Sequence, residues 1–245
     1  DSSKDYGYYI YKCLKPVAPG DTFTLKFNIH YEEHGFHHWG HSTDLVANGT
    51  FLHSQFMPSF GYSADEEIRD KKDRKKEGLP VKEFESAAIT DTMAYGNMYI
   101  NNNADRISFE AIISTVPDQI AITCGTLVDE WTKDNRRYFK YKMNEPMWNF
   151  FPFLSARYEV YEEDYNGLKI AIYYHKRHNY NIDKMVKAIK KTVDYCSKNF
   201  LPYQHDAIRI VEFPRYGTFA QSFAGTIPFS ESIGFIVDVD DKNNI

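Results

Sequence analysis

Over residues 22–31 the chain alternates without a break. Phe23, Leu25, Phe27, Ile29 and Tyr31 share one parity; Thr22, Thr24, Lys26, Asn28 and His30 share the other. A period of two predicts a strand with one buried face, as in an antiparallel sheet wetted on one side. Residues 7–14 (GYYIYKCL) predict a strand before it, joined by the Ala18-Pro19-Gly20-Asp21 turn, where proline and glycine supply the required backbone angles. Strand-like runs recur at 50–56, 92–100, 106–115, 119–123, 137–143, 154–161 and 168–174, with 101–104 (NNNA) and Asp134-Asn135 as turns. Many short strands at this spacing predict a sandwich or a large curved sheet.

At Asn181 the period changes to about 3.6. Ile182, Met185, Val186, Ile189, Val193 and Cys196 fall on one face of a helix over 182–198, and Lys184, Lys187, Lys190 and Lys191 on the other. Asn181 is suited to cap it, and Pro202 ends it. An earlier helix is expected to begin at Ser63 with Glu66 reciprocating the cap and to end at Gly78. Its basic run 71–76 (KKDRKK) follows Asp65, Glu66, Glu67 and Asp70, a pattern of solvated, salt-bridged surface. The change of period sets a boundary near residue 176, between an antiparallel β-domain (1–176) and an α+β region (177–245). In that region 208–236 reads as a buried strand at Ile208, Ile210 and Val211, a turn at Pro214, and two extended runs split by Gly225 and Pro228.

Aromatic residues make up 16% of the chain, which suits pleated, half-buried surfaces. The formal charge of -5 provides no field for a polyanion, so nucleic acid is excluded as an expected partner. Cys13, Cys124 and Cys196 are odd in number and far apart, which predicts buried free thiols in place of a disulfide framework or zinc ribbon. No run of 18 apolar residues occurs and no charged-then-apolar leader opens the chain. Asp1 stands where an initiator would, which predicts a piece of a longer polypeptide.

Among chemical candidates, His30, His34, His37, His38 and His41 cluster with Glu32 and Glu33. The order is HYEEH, not HExxH, and Gly35 and Gly40 oppose a helix, so a polar hairpin loop is expected ahead of a metal site. Asn48-Gly49-Thr50 matches a glycosylation sequon, but Asn-Gly between extended runs is first a turn signal. Residues 217–225 lack the glycine spacing of a phosphate cradle. Ser222 and Ser230 have no nucleophile elbow around them. Glu162-Glu163 and Asp240-Asp241 read as surface charge.

Four pieces occur in a telling order: the Lys15-Pro16-Val17-Ala18-Pro19-Gly20-Asp21 turn, the helix over 182–198, the Leu201-Pro202-Tyr203 turn, and a strand ending at Pro214. This order resembles the aminopeptidase N-like zinc metallopeptidases, the gluzincin aminopeptidases. The stretches NGTFLH (48–53), SARYEV (155–160) and FPRYGTFAQSFAGTIPFSESIGFI (213–236) look like the bacterial variety fused behind ABC-transporter-type permease helices. The resemblance implies a mainly β chain with an α+β C-terminal part. It has a saddle-like antiparallel β-sandwich domain over 1–176, then the truncated start of a thermolysin-like catalytic domain over 177–245, with strands within 207–237.

It further implies a membrane-tethered zinc metallopeptidase parent, of which this piece is soluble and extracytoplasmic. In the family, HExxH and a second glutamate ligand follow the strand that ends here at Ile236, so zinc is expected in the parent and no cofactor or catalytic residue in this chain. The family's GxMEN strand pairs with the peptide while its glutamate grips the free amine. Counting back from Glu231, Ala220, Gln221, Ser222, Phe223, Ala224 and Gly225 form the substrate-binding strand, with Gln221-Ser222-Phe223 in place of Met-Glu-Asn. The implied function is the non-catalytic portion that binds and positions peptide; the alternative is a pseudopeptidase scaffold serving a transporter. The implied partners are peptide and the rest of the polypeptide, including its membrane helices. An uncovered face on the 182–198 helix predicts dimerisation. A third class is a carbohydrate- or protein-binding sandwich with Trp39 and Trp131 as contacts, against which stands core burial of those rings.

Overall fold

A computed structural model of the chain describes residues 13, 15–33, 44–46, 49–58, 67–82, 88–92, 105–214, 217–240 and 242. Residues 1–34 and 35–245 form separate units. In the first, the Ala18–Asp21 turn closes as expected. The Asp21 N–H donates to the Ala18 carbonyl at 3.0 Å, the Ala18 N–H donates to Asp21 Oδ2 at 2.9 Å, and Gly20 has φ +91°. The run 22–31 departs from expectation, for both parities are exposed, with Phe23 at 65%, and no strand pairing forms among its described residues. Alternation prepares a face for burial but does not provide the layer that buries it. The expected strand over 7–14 lies outside the described residues apart from Cys13, as do the one at 92–100 apart from Thr92 and the turn at 101–104.

The second unit is mainly β, with several antiparallel sheets and a few helices. In chain order its elements are β1 (Leu45–Val46), β2 (Gly49–His53), α1 (Lys71–Lys76), β3 (Arg106–Ile107), β4 (Glu110–Thr115), β5 (Ile120–Ile122), β6 (Thr126–Lys133) and β7 (Arg136–Lys142). There follow β8 (Met147–Trp148), β9 (Pro152–Ala156), β10 (Glu159–Tyr165), β11 (Leu168–Tyr174), α2 (Ile182–Asn199), β12 (Ala207–Phe213), β13 (Thr226–Ser230) and α3 (Glu231–Gly234). The sheets run β1-β2-β9-β5, β4-β7-β6, β3-β8 and β10-β11-β12-β13. Asp134 and Asn135 take φ of 49° and 56° and Asn166-Gly167 take 55° and 82°, the left-handed pairs that match strand twist in two-residue hairpins. They set the registers Lys133↔Arg136 and Tyr165↔Leu168.

The last sheet positions the site. β10 and β11 are antiparallel, but β11, β12 and β13 are parallel, and α2 makes the crossover from β11 to β12. The expected boundary near residue 176 falls inside this β-α-β unit, whose two strands are hydrogen-bonded neighbours. One face packs Ile170, Ile172, Ile208 and Ile210 against Ile182, Val186 and Ile189 of α2 and against Phe235. On the other, Ala171, Tyr173 and Val211 meet Ile122 and Leu154 of β5 and β9. Burial on both faces explains the continuously buried β12, and each such isoleucine contributes about 1.5–3 kcal/mol.

Several local expectations are corrected. Among the described residues the first helix spans Lys71–Lys76, capped by Asp70, whose Oδ1 accepts from the Lys72 N–H at 2.8 Å and the Asp73 N–H at 3.1 Å; Ser63 and Glu66 lie outside the described residues. Within its basic run Arg74 is buried, donating to the Pro80 and Ile68 carbonyls and pairing with Glu67 at 3.2 Å. Asn181 precedes α2 without capping it through its side chain. Its Nδ2 instead donates to the carbonyls of Gly234 at 2.7 Å and Val237 at 2.6 Å, tying the segment after α3 to the helix. Cys124 is buried, and burial pushes its thiol up to about 12, but Cys13 and Cys196 are exposed. Beyond Val193, α2 is exposed to its end, which removes Cys196 from the buried stripe. The strand expected to reach Ile236 stops at Ser230, whose Oγ accepts from the Ser232 N–H and caps α3.

His53 makes a measurable contribution at the end of β2. Its Nδ1 is buried without a hydrogen-bond partner among the described residues, its ring meets Phe51 and Phe56 edge-on, and burial lowers its pKa, opposed by Asp44. The native state therefore prefers neutral imidazole, and stability falls as pH drops below 6.5 towards the lowered native value. His53→Phe should flatten that part of the profile in denaturant unfolding from pH 8 to 5 and leave the protein more stable at the acid end. An unchanged slope would remove this role.

Candidate functional site

The carboxyl ends of β11, β12 and β13 open into a cavity of about 250 Å³ lined by Tyr158, His175, His178, Glu212, Pro214 and Glu231 among others. This is where open parallel sheets with crossover helices place ligands, because chain ends and loops diverge there. Glu212 is the sole carboxylate in buried β12, with its side chain 5% exposed. Its Oε2 accepts the His175 backbone N–H at 2.6 Å, and its Oε1 meets His178 Nδ1 in a short contact. Tyr158 donates its hydroxyl to the Glu212 carbonyl at 3.0 Å. Burial raises the Glu212 pKa against the pull of its two hydrogen-bond partners. Burial, aided by neighbouring His178, lowers that of His175. A buried carboxylate is costly unless paired, and the turn at 175–178 supplies both its partners.

At the opposite end of β12 a second cavity, about 170 Å³, is lined by Gly125, Asn144, Asp206, Arg209, Ala224 and Gly225 among others. Arg209 is 6% exposed, donates to Thr226 Oγ1 at 3.5 Å, and lies 5.9 Å from the Tyr141 ring centroid. Asn144 Nδ2 donates to Asp206 Oδ2 at 2.7 Å across the mouth.

Between the cavities runs the stretch expected to bind substrate. Residues 219–223 lie antiparallel to β13. The Ser230 N–H donates to Phe219, the Gln221 N–H to Pro228 at 3.1 Å, and Phe223 and Thr226 exchange both bonds around Ala224-Gly225. Pro228 thus sits within β13, where its carbonyl is used and a proline is tolerated near a sheet edge. Ala220 and Ser222 are exposed, and their N–H groups face away from β13 without an acceptor among the described residues. Phe223 is buried with Phe109, Cys124, Met147 and Phe151, so its side chain is part of the core. Gln221 is half-buried, and Ala224 and Gly225 line the second cavity.

No family model and no curated protein matches this chain. No HExxH sequence occurs among its 245 residues. Among the described residues, one group has donor atoms close enough to hold a metal ion: His178, Glu212 and Glu231. Of the histidine cluster, His30 is exposed and 3.4 Å from Glu32, and His34, His37, His38 and His41 lie outside the described residues, as do Asn48 and Trp39. Trp131 stacks on Tyr138 across β6 and β7 at 5.2 Å, half-buried. Sequence reasoning passed over His175, His178 and Glu212. Their visible signals were a lone glutamate in the apolar run 207–213 and two histidines three apart just after a strand.

Proposed function

We propose that this chain binds an extended peptide along the exposed edge at 219–223, as the substrate-approach part of a membrane-tethered zinc peptidase-like protein. The observation that carries the reading is the pair of outward main-chain donors at Ala220 and Ser222 on an edge already held by β13. An added strand would take its main-chain bonds from them, and the cavities at either end would select among side chains. The zinc that cleaves, with its ligands, would come from other parts of the parent. Gln221-Ser222-Phe223 carries no carboxylate to hold a peptide ammonium, which favours as second reading a pseudopeptidase module that captures peptide for a transporter complex without cleaving it. Among the described residues no helix is long and apolar enough to cross a membrane.

Ser222→Pro tests the edge directly, since it deletes an outward N–H and leaves the hairpin bonds of Gln221 and Phe223 in place. One hydrogen bond contributes about 1 kcal/mol, so affinity for a labelled extended peptide should weaken about three- to tenfold by anisotropy, with Ser222→Ala unchanged. Equal binding by the proline variant would remove the edge from the reading.

A further inference from the structure

We infer that His178, Glu212 and Glu231 form a binding site for a divalent ion of the zinc type. Their donor atoms all lie within 4.8 Å of one another, yet they come from the turn before α2, the end of β12 and the start of α3. Three separate elements converge only because β11, β12 and β13 run parallel, and the resulting cavity of about 250 Å³ lies where such sheets bind ligands.

The donor set selects the ion. One imidazole nitrogen with two carboxylates suits zinc and its transition-metal neighbours, whereas magnesium and calcium favour oxygen alone. Two carboxylates and a neutral imidazole cancel the ion's charge, which relieves the cost of keeping the Glu212 carboxylate buried. Glu212 is also oriented as an outer shell would require. The His175 N–H holds Oε2 at 2.6 Å, which fixes the plane of the group and leaves Oε1 turned to the His178 ring. The ion takes the place of the proton between Oε1 and Nδ1: a neutral ring keeps that proton by shifting it to Nε2, and a pair carrying one proton more releases it to solvent. Three protein ligands leave a fourth position for water or for a donor atom of a molecule in the cavity. The peptide edge begins at this end, since Phe219 lies opposite Ser230, next to Glu231.

The test is a titration of the whole chain with zinc against a chromophoric chelator, with cobalt(II) absorption as a second readout of nitrogen and oxygen coordination. One ion per chain is expected, with a dissociation constant of about 1 μM or tighter. Glu231→Gln and His178→Gln should each weaken it at least about tenfold and change the cobalt spectrum. Glu231 is partly exposed, so its amide variant keeps the fold, which circular dichroism without metal verifies. Absence of binding at about 100 μM zinc overturns the site, as does binding that neither substitution alters, since the ion would then be elsewhere, as at the histidine cluster of residues 30–41. Peptide affinity measured with Ser222→Pro does not depend on this result, so either proposal can fail alone.

Discussion

Phe223→Ala should cost about 3–5 kcal/mol of stability, the range for removing a buried aromatic ring from a core. The side chain is 6% exposed, its centroid is 4.3 Å from that of Phe150 and 6.4 Å from Phe51, and it shares a cluster with Phe109, Met147 and Phe151. Those partners come from β2 and from the β3–β9 region, so one ring fastens the 219–225 hairpin to the antiparallel sheets beneath it. Phe219, on the same hairpin but 45% exposed, provides the internal comparison. Its truncation should cost about 1 kcal/mol, because nearly half of its area is already in water. Urea unfolding with an unchanged slope would assign the difference to the native core. Peptide affinity should fall in the Phe223 variant as the edge loses its seat. A stability loss below about 1 kcal/mol would show the ring to be peripheral and the hairpin held by its backbone alone.

The hairpin also shows what was legible in the sequence. Strong periods were reliable where a second layer exists. The run expected at 106–115 holds two strands, Arg106–Ile107 and Glu110–Thr115, those expected at 137–143 and 168–174 are Arg136–Lys142 and Leu168–Tyr174, and the amphipathic α2 begins and ends within a residue of expectation. The equally clear alternation at 22–31 is not buried, because periodicity describes one face and says nothing of its partner. β6 was missed for the opposite reason. TLVDEWTK is exposed along nearly its whole length at a sheet edge, so no apolar parity was needed, and Asp129, Glu130 and Lys133 are the charges that keep such an edge from pairing further.

The sites were less legible because they are made by topology. His178 and Glu212 are 34 positions apart, and the parallel crossover through α2 brings them into contact. No local spacing encodes that, in contrast to ligands placed on one helix. Asn181 illustrates the same limit at a single residue. A cap was the local inference, but its amide is spent on carbonyls 53 and 56 residues away, which a local rule cannot see.

Gly225→Ala should cost about 2–4 kcal/mol and Gly167→Ala about 1–2 kcal/mol, and the difference isolates close packing from backbone strain. Both glycines have left-handed backbones, with φ of 64° and 82°, so the first penalty is common to the two. A Cβ on Gly167 would meet nothing within 4 Å, whereas one on Gly225 would lie 2.8 Å from the Ala207 carbonyl oxygen. That neighbour is backbone at the start of β12 and cannot rotate away. Relief would require moving the hairpin turn off the strand, and the Gly225 carbonyl accepts the Arg209 N–H at 3.0 Å, so the same shift would loosen the β12–β13 register. Peptide affinity should therefore drop in the Gly225 variant and stay at the wild-type value in the Gly167 variant, where the hairpin is remote. Equal stability costs in the two, measured by denaturant unfolding, would mean that the turn moves freely. The 219–223 edge would then be too loosely held to preorganise a peptide.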